Sequence, residues 1–284
     1  MIILPTNRNL ADQVLKFSSW FCGLLIIGFF CYLFIDIIWH GIERLSLNFL
    51  ISDPANAGRQ GGIAPMLVST LLLLIICISI ALPLGIACAI YLAEYTNEHM
   101  WFAKFIRHSL AMLASVPSIV MGMFGYAFFV IALNFGFSIL SGALTLACMV
   151  LPFIIRSIED TLRNIPQIHR LNASALGLSK WRCIFQILLP MAGHGILLAL
   201  VLGIGRAMAE TAALLYTAGY VTRMPDTVFD SGRSLSVHIF DLSMNVPGGE
   251  PSAYSSALVL VILLLLINAS THWMAKKIRH RSNK

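Results

Sequence analysis

An arginine and a glutamate, Arg206 and Glu210, stand four residues apart inside otherwise apolar sequence, with Thr211 directly after them. Residues four apart share one face of an α-helix, so the spacing predicts that the two side chains pair. An arginine at the centre of a membrane span costs about 2.5 to 3.5 kcal/mol on insertion scales, which makes it a functional candidate by default, and a carboxylate one turn away offsets part of that cost. A guanidinium presents a planar fork of donors suited to a tetrahedral oxyanion. The neighbouring acid would hold that fork ready and weaken its grip, and transport needs binding that is reversible at each step. The competing reading is a static ion pair that fixes helix packing.

A second group of residues points to mechanical work. The run from Arg163 to Arg182 parses as two short helices: Pro166 suits a first turn, Gly177 a left-handed stop and Ser179 the N-cap of the next helix. Between these signals Ala173, Ser174 and Ala175 are small enough for a partner's backbone to come close, and Leu176 and Leu178 flank Gly177 as apolar pegs. Such a helix is shaped to sit in another protein's groove. A helix resting on lipid head groups is the alternative.

Enzymatic chemistry finds no support. The chain has no Gly-x-Ser-x-Gly, no His-Glu-x-x-His and no Gly-x-x-x-x-Gly-Lys-Ser/Thr phosphate loop. No His, Cys or carboxylate cluster has metal-ligand spacing. Asp36, His40 and Glu43 at one end of an apolar run, and His194 alone in another, read as packing or interface groups. Cys22, Cys31, Cys77, Cys88 and Cys148 lie inside apolar runs, and Cys183 lies in a polar segment without a CxxC partner. All six read as buried small hydrophobes rather than disulfides or metal ligands.

The elements that position these groups follow from composition. Of 284 residues, 58% are hydrophobic and 11% charged, against roughly 45 to 50% and about 25% in a soluble domain. The solvent for most of this chain is lipid. Six segments approach the ~20 apolar residues that cross a hydrocarbon core: Phe17 to Trp39, Met66 to Leu92, Leu110 to Leu133, Phe137 to Ile155, Pro190 to Tyr216 and Ala253 to Met274. All are expected to be helical, since lipid offers an open strand edge no partner. The expected class is an all-α membrane protein with about six transmembrane helices. The first span is too long for a signal-peptide core and has no small-residue cleavage site, so it is expected to stay attached.

Basic residues set the orientation. Fourteen Lys and Arg lie on the side of the two termini and four on the other, which places both termini in the cytoplasm. The net charge of +6 is this topological signal rather than a nucleic-acid footprint. The chain divides into a cytoplasmic N-terminus (1–16), one transmembrane domain (17–275) and a basic cytoplasmic tail (276–284). Two connections exceed an ordinary loop, an inner one at about 156–189 and an outer one at about 217–252. The outer one is mildly acidic and either docks a partner or is a plain solvated loop.

Gly177, then Ile187, then Leu189-Pro190 match in spacing the loop of permease subunits of bacterial ABC importers, whose pattern is Glu-Ala-Ala, three residues, Gly, nine residues, Ile, one residue, Leu-Pro. At the front Leu171 and Asn172 replace the Glu and the first Ala, and Ala173 agrees. The chain thus resembles that family, which implies a type I-like permease fold whose cytoplasmic coupling helix fits a cleft on an ATPase. ATP and Mg would be bound by that partner, with no cofactor on this chain. The resemblance extends over nearly the whole chain to the PstA permeases of phosphate importers. It rests on Gly61-Gly62-Ile63, Pro83-Leu84-Gly85, Tyr91-Leu92-Ala93-Glu94-Tyr95, Pro117-Ser118-Ile119-Val120, Leu151-Pro152 with Arg156 and Glu159, and Arg206-Ala207-x-x-Glu210-Thr211-Ala212.

That family typically reads Arg-Ala-x-Gly-Glu-Thr-Ala-Pro. Ala209 and Ala213 replace its Gly and Pro, which predicts a straighter fifth span. The resemblance implies import of inorganic phosphate across the bacterial inner membrane, with Arg206, Glu210 and Thr211 on the pathway. The implied partners are a second permease, an ATPase homodimer and a periplasmic phosphate-binding protein. Pro117, Gly122 and Gly125 read as sites where helices bend or approach closely. Another oxyanion, such as molybdate or sulfate, is the runner-up; a secondary transporter or channel would have no use for a docking helix.

Overall fold

Backbone amides surrounded by lipid have only each other as partners, and the chain is helical almost throughout. A computed structural model describes residues 8–97 and 100–282, with the side chains of 8–11, 272 and 274–282 left out. The first seven residues of the expected cytoplasmic N-terminus, and the side chains of the basic tail, therefore lie outside the described residues.

Helix α1 (Arg8–Gly41) is followed by short α2 (Leu47–Ile51) and a hairpin of β1 (Pro54–Ala55) and β2 (Gln60–Gly61), with Pro54 opposite Gly61. Then come α3 (Ala64–Ile90), α4 (Trp101–Ser115), α5 (Ser118–Gly125) and α6 (Ile139–Arg163). The chain continues through α7 (Gln167–Ala175), α8 (Lys180–Cys183), α9 (Leu189–Ala209), α10 (Ala212–Leu215), α11 (Leu235–Met244) and α12 (Glu250–Ser282). Wider π-helical turns close α3 (Tyr91–Tyr95), extend α5 (Tyr126–Ala132) and join α8 to α9 (Ile184–Leu188).

Five stretches are long and apolar enough to cross a membrane: Asp12–Arg44, Ala64–Tyr95, Ile139–Arg163, Lys180–Ala209 and Glu250–Thr271. The sixth, expected as one helix from Leu110 to Leu133, is instead two helices, Trp101–Ser115 and Ser118–Ala132, bent by 102°. Pro117 is the cause. Its ring excludes helical backbone at the preceding residue, and Val116 is extended, with ψ 130°.

Helix α6 forms the middle of the bundle. Its Leu146, Val150, Ile154 and Ile158 are buried against Leu73, Cys77 and Ala81 of α3 and Ala199 and Ala207 of α9. Glycines bring the helices close: a Cβ on Gly85 or Gly203 would meet Ile154 or Val150 within 3.0 Å. Small residues at such crossings are how helices gain dispersion contact where lipid leaves no hydrophobic drive.

Helix α1 behaves differently. Trp20, Leu24, Phe29 and Tyr32 are exposed, and so are Cys22 and Cys31, which are therefore not the buried hydrophobes expected. Near its C-terminal end α1 docks on α12: the Tyr254 hydroxyl donates to Asp36 (3.2 Å), Ser255 donates to the Gly41 carbonyl (2.9 Å), and a Cβ on Gly41 would strike Leu258. The His40 and Tyr254 rings lie 5.0 Å apart. Asp36 and His40 thus serve packing.

The segment 217–252 is folded onto the bundle rather than being a plain loop. Carbonyls of Thr217, Asp230 and Val228 accept from the amides of Ser138, Ile139 and Leu140, groups that the first turn of a helix leaves without an internal partner. Arg233, 8% exposed, donates to Asp241 (2.8 Å) and to the Tyr220 carbonyl (3.1 Å).

Candidate functional site

Helix α9 stops one residue before Glu210. Glu210 is extended, with ψ 124°, and a fresh turn, α10, begins at Ala212. The straighter span expected from Ala209 and Ala213 is therefore not what forms. Neither residue breaks a helix, so the interruption has a tertiary origin. Gly122 of α5 presses on α10, where an added Cβ would sit 2.8 Å from the Ala213 Cα. On the other side, the Ser236 hydroxyl of α11 donates to the Glu210 carbonyl (2.8 Å), which the break leaves without a helical partner. Helix α11 is itself pinned, since its Leu235 amide donates to Thr70 of α3 (2.8 Å).

The expected charge pair does not close. Arg206 is the last-turn cation of α9, and its side chain is exposed while Glu210 and Thr211 are half-buried. Glu210 is the C-cap of α9 and keeps a helical φ of −72°, so its side chain still leaves the helix one turn from Arg206, yet among the described residues Arg206 forms no close ion pair. The two charges still interact, and Ser118 of α5 lies within hydrogen-bonding reach of the Glu210 carboxylate. Gly203, just before Arg206, packs on Val150 and Ile154, so Arg206 sits slightly past the midpoint of α6 on the side of α11. A guanidinium exposed at that level has its donors free for a ligand or a neighbouring subunit.

At the opposite end of the bundle, Pro166 precedes α7 and Gly177 (φ 69°) ends it, as the local signals require. Ser179 caps α8, accepting from the Arg182 amide (3.4 Å). Ala173 is buried, and Leu178 packs against the main core. Ser174, Ala175, Leu176 and Gly177 face outward, with Leu176 79% exposed and Leu171 60%. Leu171 and Leu176 thus form an exposed apolar patch beside the small residues Ser174 and Ala175.

Sequence reasoning missed the charged knot behind this helix. Glu159, 5% exposed, accepts from Arg107 Nε of α4 (2.8 Å) and from Arg163 Nε one turn further along α6 (2.9 Å). Both arginines also donate from Nη2 to the Leu92 carbonyl, each at 3.2 Å. Leu92 lies in the π-helical turn that closes α3. Glu159 and Arg163 stand four apart, which was the one local signal available. Among the described residues no group of His, Cys, Asp and Glu could hold a metal ion.

Comparison with known proteins agrees with this architecture. Residues 81–284 match the family described as binding-protein-dependent transport system inner membrane component. A probable ABC transporter permease protein of Bacillus subtilis, YqgI, is 32% identical over 96% of this chain and 97% of its own length. A phosphate transport system permease protein PstA of Xylella fastidiosa is 34% identical over 82% of this chain and 81% of its own. Among solved structures, a chain of a bacterial alginate ABC transporter in complex with an alginate pentasaccharide-bound periplasmic protein superposes with a TM-score of 0.70. It covers 95% of this chain and 97% of that one at 13% identity, and so speaks to fold alone. The chain accordingly belongs to the inner-membrane permease family of binding-protein-dependent ABC importers, and it is a permease subunit rather than an enzyme.

Proposed function

We propose that this permease moves inorganic phosphate. One observation carries the reading: Arg206 stands exposed on an apolar helix, without a close ion partner among the described residues, beside a half-buried Glu210 held in a helix break. An arginine in that setting costs too much to face lipid and is suited to a desolvated oxyanion. Glu210 keeps the local field from becoming so positive that the anion would not leave, and Thr211 adds a hydroxyl beside it. The names of the PstA relatives support phosphate as the oxyanion.

The same reading covers the remaining parts. In it the exposed Ser174, Ala175, Leu176 and Gly177 contact an ATPase homodimer, which binds ATP and Mg, while Ala173 and Leu178, which the sequence also put in that contact, seat α7 on the core. A second permease completes the pore, and a periplasmic phosphate-binding protein delivers to the α11 end. The basic flanks put both termini in the cytoplasm.

Radiolabelled phosphate, molybdate and sulfate uptake, measured with and without this chain, tests the assignment. The expected result is loss of high-affinity phosphate uptake alone. Undiminished phosphate uptake with loss of molybdate or sulfate uptake reassigns the substrate to that oxyanion.

A further inference from the structure

Helix α7 is poorly anchored by packing. Ala173 is its one buried residue, and a cavity of about 640 Å³ lies beside it, lined by Thr96 and Asn97 on the α3 side and Gln167, Ser174 and Lys180 on the other. Arg170 crosses the edge of this cavity. Its Nε donates to both Glu94 oxygens (3.1 and 3.2 Å), and its Nη2 donates to Oε1 at 2.6 Å and to the Leu162 carbonyl at 2.9 Å. Its Nη1 donates to the Ile165 carbonyl (2.8 Å), so every guanidinium nitrogen is engaged.

Glu94 belongs to the same π-helical turn as Leu92, and its side chain is 7% exposed. The closing turn of α3 therefore carries two clamps: Arg107 and Arg163 through Leu92 and Glu159, and Arg170 through Glu94. The first joins α3 to α4 and α6. The second joins that assembly to α7. A forked, charge-assisted pair with its carboxylate largely buried is stiff, whereas an apolar contact of one alanine is not.

We propose that Arg170 and Glu94 are positioning residues for transport: a rigid tie that passes displacement of α7 to α3, and through Leu92 to α4 and α6, without touching the substrate. The inference rests on the reading of α7 as the ATPase contact. It assigns a mechanical role to an acid on α3 and a base on α7 that lie 76 residues apart in sequence.

The test uses the complete importer in liposomes, scoring phosphate moved per ATP hydrolysed. Arg170→Gln and Glu94→Gln are each expected to leave ATPase bound and its basal hydrolysis intact while transport per ATP falls about tenfold, within the range by which network residues modulate coupling. The double variant is expected to be no worse than either single one, because both break one link. Glu94→Asp is expected to recover part of the loss. Wild-type stoichiometry in the single variants, losses that multiply in the double, or disappearance of the assembled complex in both single variants would each overturn the tie. Leu176→Asp separates this from the underlying reading. If it strips the ATPase while Arg170→Gln transports normally, the tie alone fails; if the ATPase stays bound and transport continues, the contact reading fails.

Discussion

Helices α6 and α9 pack against each other, and each carries an arginine and a glutamate four residues apart. On α6 the pair closes: Arg163 reaches Glu159 at 2.9 Å, because the helix runs unbroken through both. On α9 no close pair forms: Glu210, at the C-cap, is half-buried and within reach of Ser118 of α5, while Arg206 is exposed. The same spacing thus yields a buried structural knot in one helix and an exposed guanidinium in the other. A four-residue spacing permits a pair, and whether it closes is settled by what packs on each side chain from outside. The half-buried arginines of the knot are tied to Glu159 and the Leu92 carbonyl, whereas Arg206 has no such partner among the described residues.

The largest effect expected from this contrast is at Arg206. Arg206→Ala should lower phosphate uptake by a hundredfold or more, on the order of what removing one preorganised anion donor costs, while the assembled importer is recovered in normal yield. Radiolabelled uptake set against co-purified partner chains reads both quantities. Loss of the assembled complex would make Arg206 structural like Arg163 and erase the contrast.

Glu159→Ala should act in the opposite sense, on the fold more than on the substrate. It leaves Arg107 and Arg163 facing each other with no carboxylate between them, at a cost of about 3 kcal/mol as for a broken buried pair. The melting midpoint of the purified importer should fall, and uptake per surviving complex should fall less than in Arg206→Ala. An unchanged midpoint would show that the knot does not hold the bundle.

The smallest effect involves the third kind of arginine, Arg233, paired with Asp241 beneath the α11 end. His238 beside it is fully buried, and burial, followed by the charge of Arg233, pushes its imidazole down to about 4 from an ordinary 6.5. The unfolded chain takes up a proton as pH falls through 6.5 and the folded chain does not until about 4. The stability contributed by the neutral ring is therefore complete above 6.5 and is lost as pH drops toward 4. Melting midpoints between pH 7 and 4 should decline less steeply in His238→Leu than in wild type. Identical slopes would place the proton elsewhere.

Much of this molecule is legible from sequence because lipid imposes a simple rule. Apolar runs must be helices of about membrane thickness, so five spans and their order follow from composition, and the sixth follows once Pro117 is allowed to bend it. The α7 segment is legible too, since Pro166, Gly177 and Ser179 act through their own backbone geometry and need no distant partner. The knot at Glu159 was not, because two of its partners, Arg107 and the Leu92 carbonyl, come from helices far apart in the chain. The tie at Arg170 is not legible either, since Glu94 lies 76 residues away.

The interruption at Glu210 marks the boundary between the two kinds of information. Ala209 through Ala213 carry no helix breaker, and by propensity alone the helix would continue. Gly122 approaching Ala213, and Ser236 supplying the Glu210 carbonyl with a new donor, are contacts that exist only once α5 and α11 have packed. Sequence alone placed a charged pair inside a membrane span. Tertiary packing, by exchanging helical hydrogen bonds for contacts from neighbouring helices, decided where that span breaks.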